Sequence, residues 1–170
     1  MSDRLRKELK QSKPFGSKQE EAGLSIVRTA GMLERATAEV LKRVELSPAQ
    51  YNVLRILKGA GAAGLQCNEI AERMVTHDPD ITRLLDRMEK RALVRRERSR
   101  EDRRVVMVFI TADGARLAEE MAQPLVQLAR RQMRALKEEQ MQELIESLEE
   151  IRAACEQEVP SSQAEGGGGE

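Results

Sequence analysis

Within a chain patterned almost throughout for helices, the apolar period changes once, from helical to two, just after Leu93. Val106, Val108 and Ile110 alternate there with Val105, Met107 and Phe109 along a β-branched run, which specifies a strand. Leu93 to Arg98 pairs with it antiparallel, and the charged stretch from Ser99 to Arg104 forms the turn. The element before this hairpin reads as a helix with Asp78 as N-cap and Pro79 as its first residue. Ile81, Leu84, Leu85 and Met88 share one face of it, while Asp80, Thr82, Arg83, Asp86, Arg87 and Lys90 lie elsewhere. A half-polar helix feeding directly into a basic-tipped hairpin leaves few folds open.

The flanking segments supply more helices. Apolar residues from Leu24 to Val44 recur at helical spacing, giving a long first helix from about Lys18 to Arg43. Ser47 and Pro48 open a second helix as N-cap and first residue, and Gly59 closes it. A Gly/Ala-rich connection from Gly59 to Gly64 leads to a short strand at Gly64 to Gln66 and then to a third helix of two or three turns carrying Ile70, Ala71 and Met74. After the hairpin Thr111 caps a helix that runs to Met133 with a kink at Pro124, and a last helix places Met141, Leu144, Ile145, Leu148, Ile151 and Cys155 on its apolar side. The organisation is a flexible basic arm (1–17), a helical body (18–158) whose central lobe spans about 47–111, and a disordered Gly-rich tail (159–170).

Composition narrows the function classes. The 170 residues suffice for one domain, and no stretch approaches the roughly 20 apolar residues of a bilayer span, so a cytoplasmic protein is expected. Cys67 and Cys155 stand far apart without metal-ligand spacing, and His77, the only histidine, is open to three readings: a hydrogen-bonding group at a helix end, a DNA contact or a pH-sensitive element. No nucleophile-base pair, metal cluster or phosphate-cradling glycine loop is present, so neither catalysis, a metal nor a cofactor is expected. Formal net charge is +0, but the charges are segregated: Arg83 to Arg104 holds ten Lys/Arg against five Asp/Glu, and Glu138 to Glu170 holds ten acidic residues against one Arg.

A short helix, a turn, a helix with one polar face and a basic hairpin together form a winged helix-turn-helix arrangement, mainly α with a small β-hairpin wing. A helix fits the major groove of B-DNA, where Arg and hydroxyl side chains reach base edges and flanking cations neutralise phosphates. Thr82, Arg83, Arg87 and Lys90 are placed for that role. Arg100, Arg103 and Arg104 at the hairpin tip suit the narrow minor groove, with Asp102 bracing their guanidiniums. For Arg95, Arg96, Arg98 and Arg100 two readings stand: phosphate contact, or a solvated edge that keeps other strands from pairing.

The run DITRLLDRMEKRALV (Asp80 to Val94) followed by RRERSREDRRVVMVFITADG (Arg95 to Gly114) resembles the recognition helix and wing of the MarR family of transcriptional regulators. LSPAQYNVLRIL and NEIAERM resemble its preceding helices, so the similarity spans about residues 20–155. The resemblance implies a homodimer built through the N- and C-terminal helices, a palindromic double-stranded DNA operator, repression relieved by a small-molecule effector, and no membrane association. It assigns Thr82 and Arg83 to the major groove, Arg104 to the minor groove and Asp102 to the bracing of the wing. Three residues depart from the pattern: Ala92 stands where the family commonly has Gly, Gln66 where it has Ser or Thr, and Asp80 where a hydroxyl residue is frequent. For Asp80 three roles are open: reading cytosine, lying near the helix N-terminus, or capping the helix. The alternative function is a helical dimeric adaptor working through protein contacts.

Overall fold

A computed structural model describes residues 4–76, 80–98 and 104–158. The elements in order are α1 (Arg4–Glu8), α2 (Lys18–Leu41), α3 (Pro48–Ala60), β1 (Leu65–Gln66), α4 (Cys67–Glu72), α5 (Ile81–Lys90), β2 (Val94–Arg98), β3 (Val106–Ile110), α6 (Ala112–Met133) and α7 (Glu138–Glu158). The chain divides into two compact units, 1–128 and 129–170, so α6 begins in the first and ends in the second.

In the first unit the core gathers Leu41, Leu54, Leu57, Ile70, Leu84, Leu85, Met88, Val94, Val108 and Met121, all removed from solvent. Each such aliphatic side chain contributes about 1.5–3 kcal/mol of burial free energy, so the pattern of apolar residues decides which helix faces turn inward. The expected single-face burial of α5 is borne out, since Leu84, Leu85 and Met88 are its buried residues. β3 is the middle strand of an antiparallel sheet ordered β1-β3-β2, and Val108 faces Leu65 on one side and Arg96 on the other. Gly64 enters this sheet at φ +64, where a Cβ would lie 2.6 Å from the Phe109 ring, so both conformation and space demand glycine.

Helix starts follow side-chain chemistry. The Ser47 hydroxyl accepts from the Gln50 backbone N–H at 3.1 Å while the Gln50 side-chain Oε1 accepts from the Ser47 N–H at 3.0 Å, a reciprocal capping box ahead of Pro48. At α4 the Glu69 carboxylate accepts from the Gln66 N–H at 2.8 Å, so the start is secured without a Ser or Thr. Thr111 caps α6, its hydroxyl accepting from the Gly114 N–H at 3.1 Å.

Several boundaries differ from expectation. α2 stops at Leu41, where a tight turn over Lys42–Val44 leads to Glu45 in a left-handed conformation. α3 runs past Gly59 to Ala60, because Gly61 at φ 62 makes the turn and donates its N–H to the Leu57 and Lys58 carbonyls. α4 is six residues long, shorter than two turns, and Met74 lies beyond it. α5 is capped by Asp80 rather than Asp78, which with His77 and Pro79 lies outside the described residues. The N-terminal segment expected to be a flexible arm contains α1, where Arg4 pairs with Glu8 at 3.0 Å and Arg28 of α2 approaches Glu8 at 4.0 Å. α6 continues through Pro124, whose missing N–H leaves the Glu120 carbonyl without its helical donor. The tail 159–170 lies outside the described residues.

Two apolar faces remain in water. On α2, Val27 is 70% exposed and Leu24, Ile26 and Met32 are also open. On α7, in the second unit, Leu144, Ile145 and Ile151 are exposed.

Candidate nucleic-acid interface

α5 carries the candidate reading surface. At 3.6 residues per turn, the spacing of Arg83, Arg87 and Lys90 puts all three along one line of the helix, and each is exposed. Thr82, Asp86 and Glu89 form a neighbouring line. Left alone, two carboxylates beside three cations would cancel much of the attraction for a polyanion.

Arg96 of β2 eases that conflict. Its Nη1 lies 2.6 Å from Asp86 Oδ1 and 3.9 Å from Glu89 Oε2, and its Nη2 donates to the Thr82 carbonyl oxygen at 3.1 Å. The Arg96 backbone N–H adds a bond to Glu89 Oε1 at 3.0 Å. One side chain, only 23% exposed, thereby offsets one of the two carboxylate charges, chiefly that of Asp86, and ties the first wing strand to the helix. Neither of the two readings left open for Arg96 describes this; its guanidinium faces the protein. Arg95 is held on the other side of β2, stacked over the Phe109 ring at 4.2 Å and paired with Glu97.

The end of α5 is built as carefully as its middle. Ala92 adopts φ 54, its N–H donates to the Glu89 carbonyl at 2.8 Å, and the Leu93 N–H donates to the Met88 carbonyl at 3.0 Å. These two bonds form a Schellman motif, with alanine in the position that favours glycine. The Thr111 hydroxyl donates toward the Ala92 and Leu93 carbonyls, at 2.6 Å and 3.0 Å. The exit of α5 and the start of α6 are thus stitched at one point, which fixes where the wing begins.

The start of α5 is organised by Asp80. Its Oδ1 accepts from the Arg83 N–H at 3.2 Å and its Oδ2 lies 3.0 Å from Arg83 Nε. Of the three roles open for Asp80, capping is the one observed. Arg104 is exposed just ahead of β3, whereas Arg100, Asp102 and Arg103 lie outside the described residues. Sequence reasoning placed the cations of α5 but missed the Arg96 cluster, for which the signal was two carboxylates on the face beside them.

Three helices, a three-stranded sheet and a cationic line on the second helix of the pair define a winged helix-turn-helix module. The MarR family model matches residues 46–106. The homoprotocatechuate degradative operon repressor of Escherichia coli is 33% identical over 115 residues, covering 67% of this chain and 76% of that protein. A solved MarR transcription factor from Planctomyces limnophilus is 38% identical, with a TM-score of 0.61 and coverage of 80% of this chain and 98% of that one. The S. aureus MepR protein, solved in complex with DNA, shares the fold at a TM-score of 0.72 with 19% identity, over 78% of this chain and 96% of that one. The chain belongs to the MarR family and is a transcriptional regulator. No helix among the described residues is long and apolar enough to cross a membrane.

Proposed function

We propose that this regulator acts as a homodimer on a palindromic double-stranded DNA operator, as a cytoplasmic repressor released by a small-molecule effector, and that it catalyses no reaction. The observation that carries the reading is the exposed line Arg83, Arg87 and Lys90 on α5, beside which Arg96 offsets the charge of Asp86. In this account the DNA-binding lobe is about 47–111. Thr82 and Arg83 meet base edges in the major groove and Arg87 and Lys90 meet phosphates. Arg103 and Arg104 enter the minor groove beside them, with Asp102 as their brace. The exposed apolar faces of α2 and α7 are covered by a second copy, which sets two modules against two half-sites.

The test is a fluorescence-anisotropy titration of labelled duplexes across a salt series, with sedimentation measured in parallel. A dimer whose logarithmic affinity falls linearly with the logarithm of salt concentration supports the reading. A helical monomer, or a dimer indifferent to duplex DNA at low salt, contradicts it and leaves the adaptor function.

A further inference from the structure

Arg83 is gripped at both ends by one residue. The Asp80 carboxylate caps the helix through the Arg83 N–H at 3.2 Å and reaches forward to Arg83 Nε at 3.0 Å, on side chains 46% and 79% exposed. A cap needs only one oxygen, and serine, asparagine or aspartate supplies it equally well. The second contact is therefore separate from helix initiation. The ion pair keeps the Arg83 side chain beside the start of α5, and with no hydrogen bond of Nη1 or Nη2 to a described residue both remain available as a two-pronged donor. That is the edge that matches the N7 and O6 acceptors of guanine. A carboxylate beside Arg83 repels an approaching phosphate, which penalises any complex in which Arg83 abandons it for one.

We propose that Asp80 is a specificity-determining positioning residue. It holds the Arg83 guanidinium in an end-on pose for guanine and weakens binding to duplexes lacking that base; the inference rests on the DNA reading above. The cost of ordering a long side chain is met before binding, so the correct base gains and the wrong sequence does not. A serine or threonine at this position would cap α5 while leaving Arg83 to choose between bases and phosphates.

The experiment begins with selection from a randomised duplex pool by the unaltered protein. Affinities for the selected consensus and for a scrambled duplex are then measured for the parent, Asp80→Asn, Arg83→Ala and the double variant. Asp80→Asn keeps the cap, so circular dichroism and sedimentation should match the parent. Its affinity for the scrambled duplex should rise about threefold to tenfold with a steeper salt dependence, because the released guanidinium finds phosphates. Its preference for the consensus should fall about fivefold, and the double variant should discriminate no worse than Arg83→Ala, since Asp80 acts through Arg83. A preference within about twofold of the parent for Asp80→Asn, or additive losses in the double variant, overturns the role of Asp80 while leaving the interface standing. If the parent enriches no consensus, the interface reading itself falls and this role falls with it.

Discussion

Arg96 Nη1 lies 2.6 Å from Asp86 Oδ1, so the first strand of the wing and the helix before it are joined by an ion pair across the turn between them. The pair does two things at once. It fixes the angle between wing and helix, and it removes from the helix surface a negative charge that would oppose DNA. Asp86 is 45% exposed on its side chain, so solvent screens the attraction and the stabilisation is modest.

Arg96→Ala should therefore lower stability by about 1–2 kcal/mol, read as a drop in the urea midpoint with an unchanged slope. Arg96→Lys should recover less than half of the loss, because an ammonium cannot reach Asp86 and the Thr82 carbonyl together. Full recovery by lysine would show that charge alone matters here.

Ala92 pays for a left-handed conformation at φ 54 that glycine adopts freely. Ala92→Gly should raise stability by about 0.5–1 kcal/mol, the relief of strain outweighing the added entropy of the unfolded chain. Ala92→Val should lower it, since β-branching is poorly tolerated at positive φ. Thermal melts of the three proteins order them; a glycine variant less stable than the parent contradicts the Schellman geometry.

Gly114 sits where α6 starts against the exit of α5, and a Cβ there would stand 2.2 Å from the Leu93 carbonyl oxygen and 3.1 Å from Leu54 Cδ2. The first of these atoms is backbone held by the Thr111 N–H at 3.1 Å, so it cannot give way cheaply. Gly114→Ala should cost about 3 kcal/mol or more, measured by denaturant unfolding. A loss below about 1 kcal/mol would mean that α6 is not seated there.

Tyr51 is the one tyrosine in a chain without tryptophan, so its ionisation can be followed by tyrosinate absorbance. Burial pushes its phenol above the ordinary value of 10.0, and the Arg55 guanidinium pulls partway back. A raised folded-state value means that the neutral phenol is favoured by folding. The corresponding stability is present below pH 10.0 and is lost as pH climbs through the folded-state value. Urea midpoints of the parent should fall across that window more steeply than those of Tyr51→Phe. Equal slopes would contradict the burial effect.

Much of this architecture was legible in the residues. The change of period after Leu93, the Ser47-Pro48 start and the Thr111 cap each follow from local chemistry and fall where expected. What escaped depends on backbone angles or on partners distant in the chain. Gly59 and Gly61 look alike in sequence, but only Gly61 carries the positive φ that ends α3. Asp78 and Asp80 are both good caps, and only the position of the Arg83 N–H selects between them. Ala92 hides a motif that glycine would have announced. Arg96 looks like Arg95 and Arg98 in sequence; strand alternation separates it from Arg95, and only the fold brings it to Asp86, Glu89 and the Thr82 carbonyl.

The most direct test of the central claim compares Arg83→Ala with Arg104→Ala on consensus and scrambled duplexes at several salt concentrations. Base contacts carry discrimination, so Arg83→Ala should lose about 1–3 kcal/mol of preference per half-site. Minor-groove and phosphate contacts carry affinity, so Arg104→Ala should weaken both duplexes alike and flatten the salt dependence by about one unit of slope per subunit. If both variants bind both duplexes as the parent does at every salt concentration, α5 and the wing are not the DNA-reading surface.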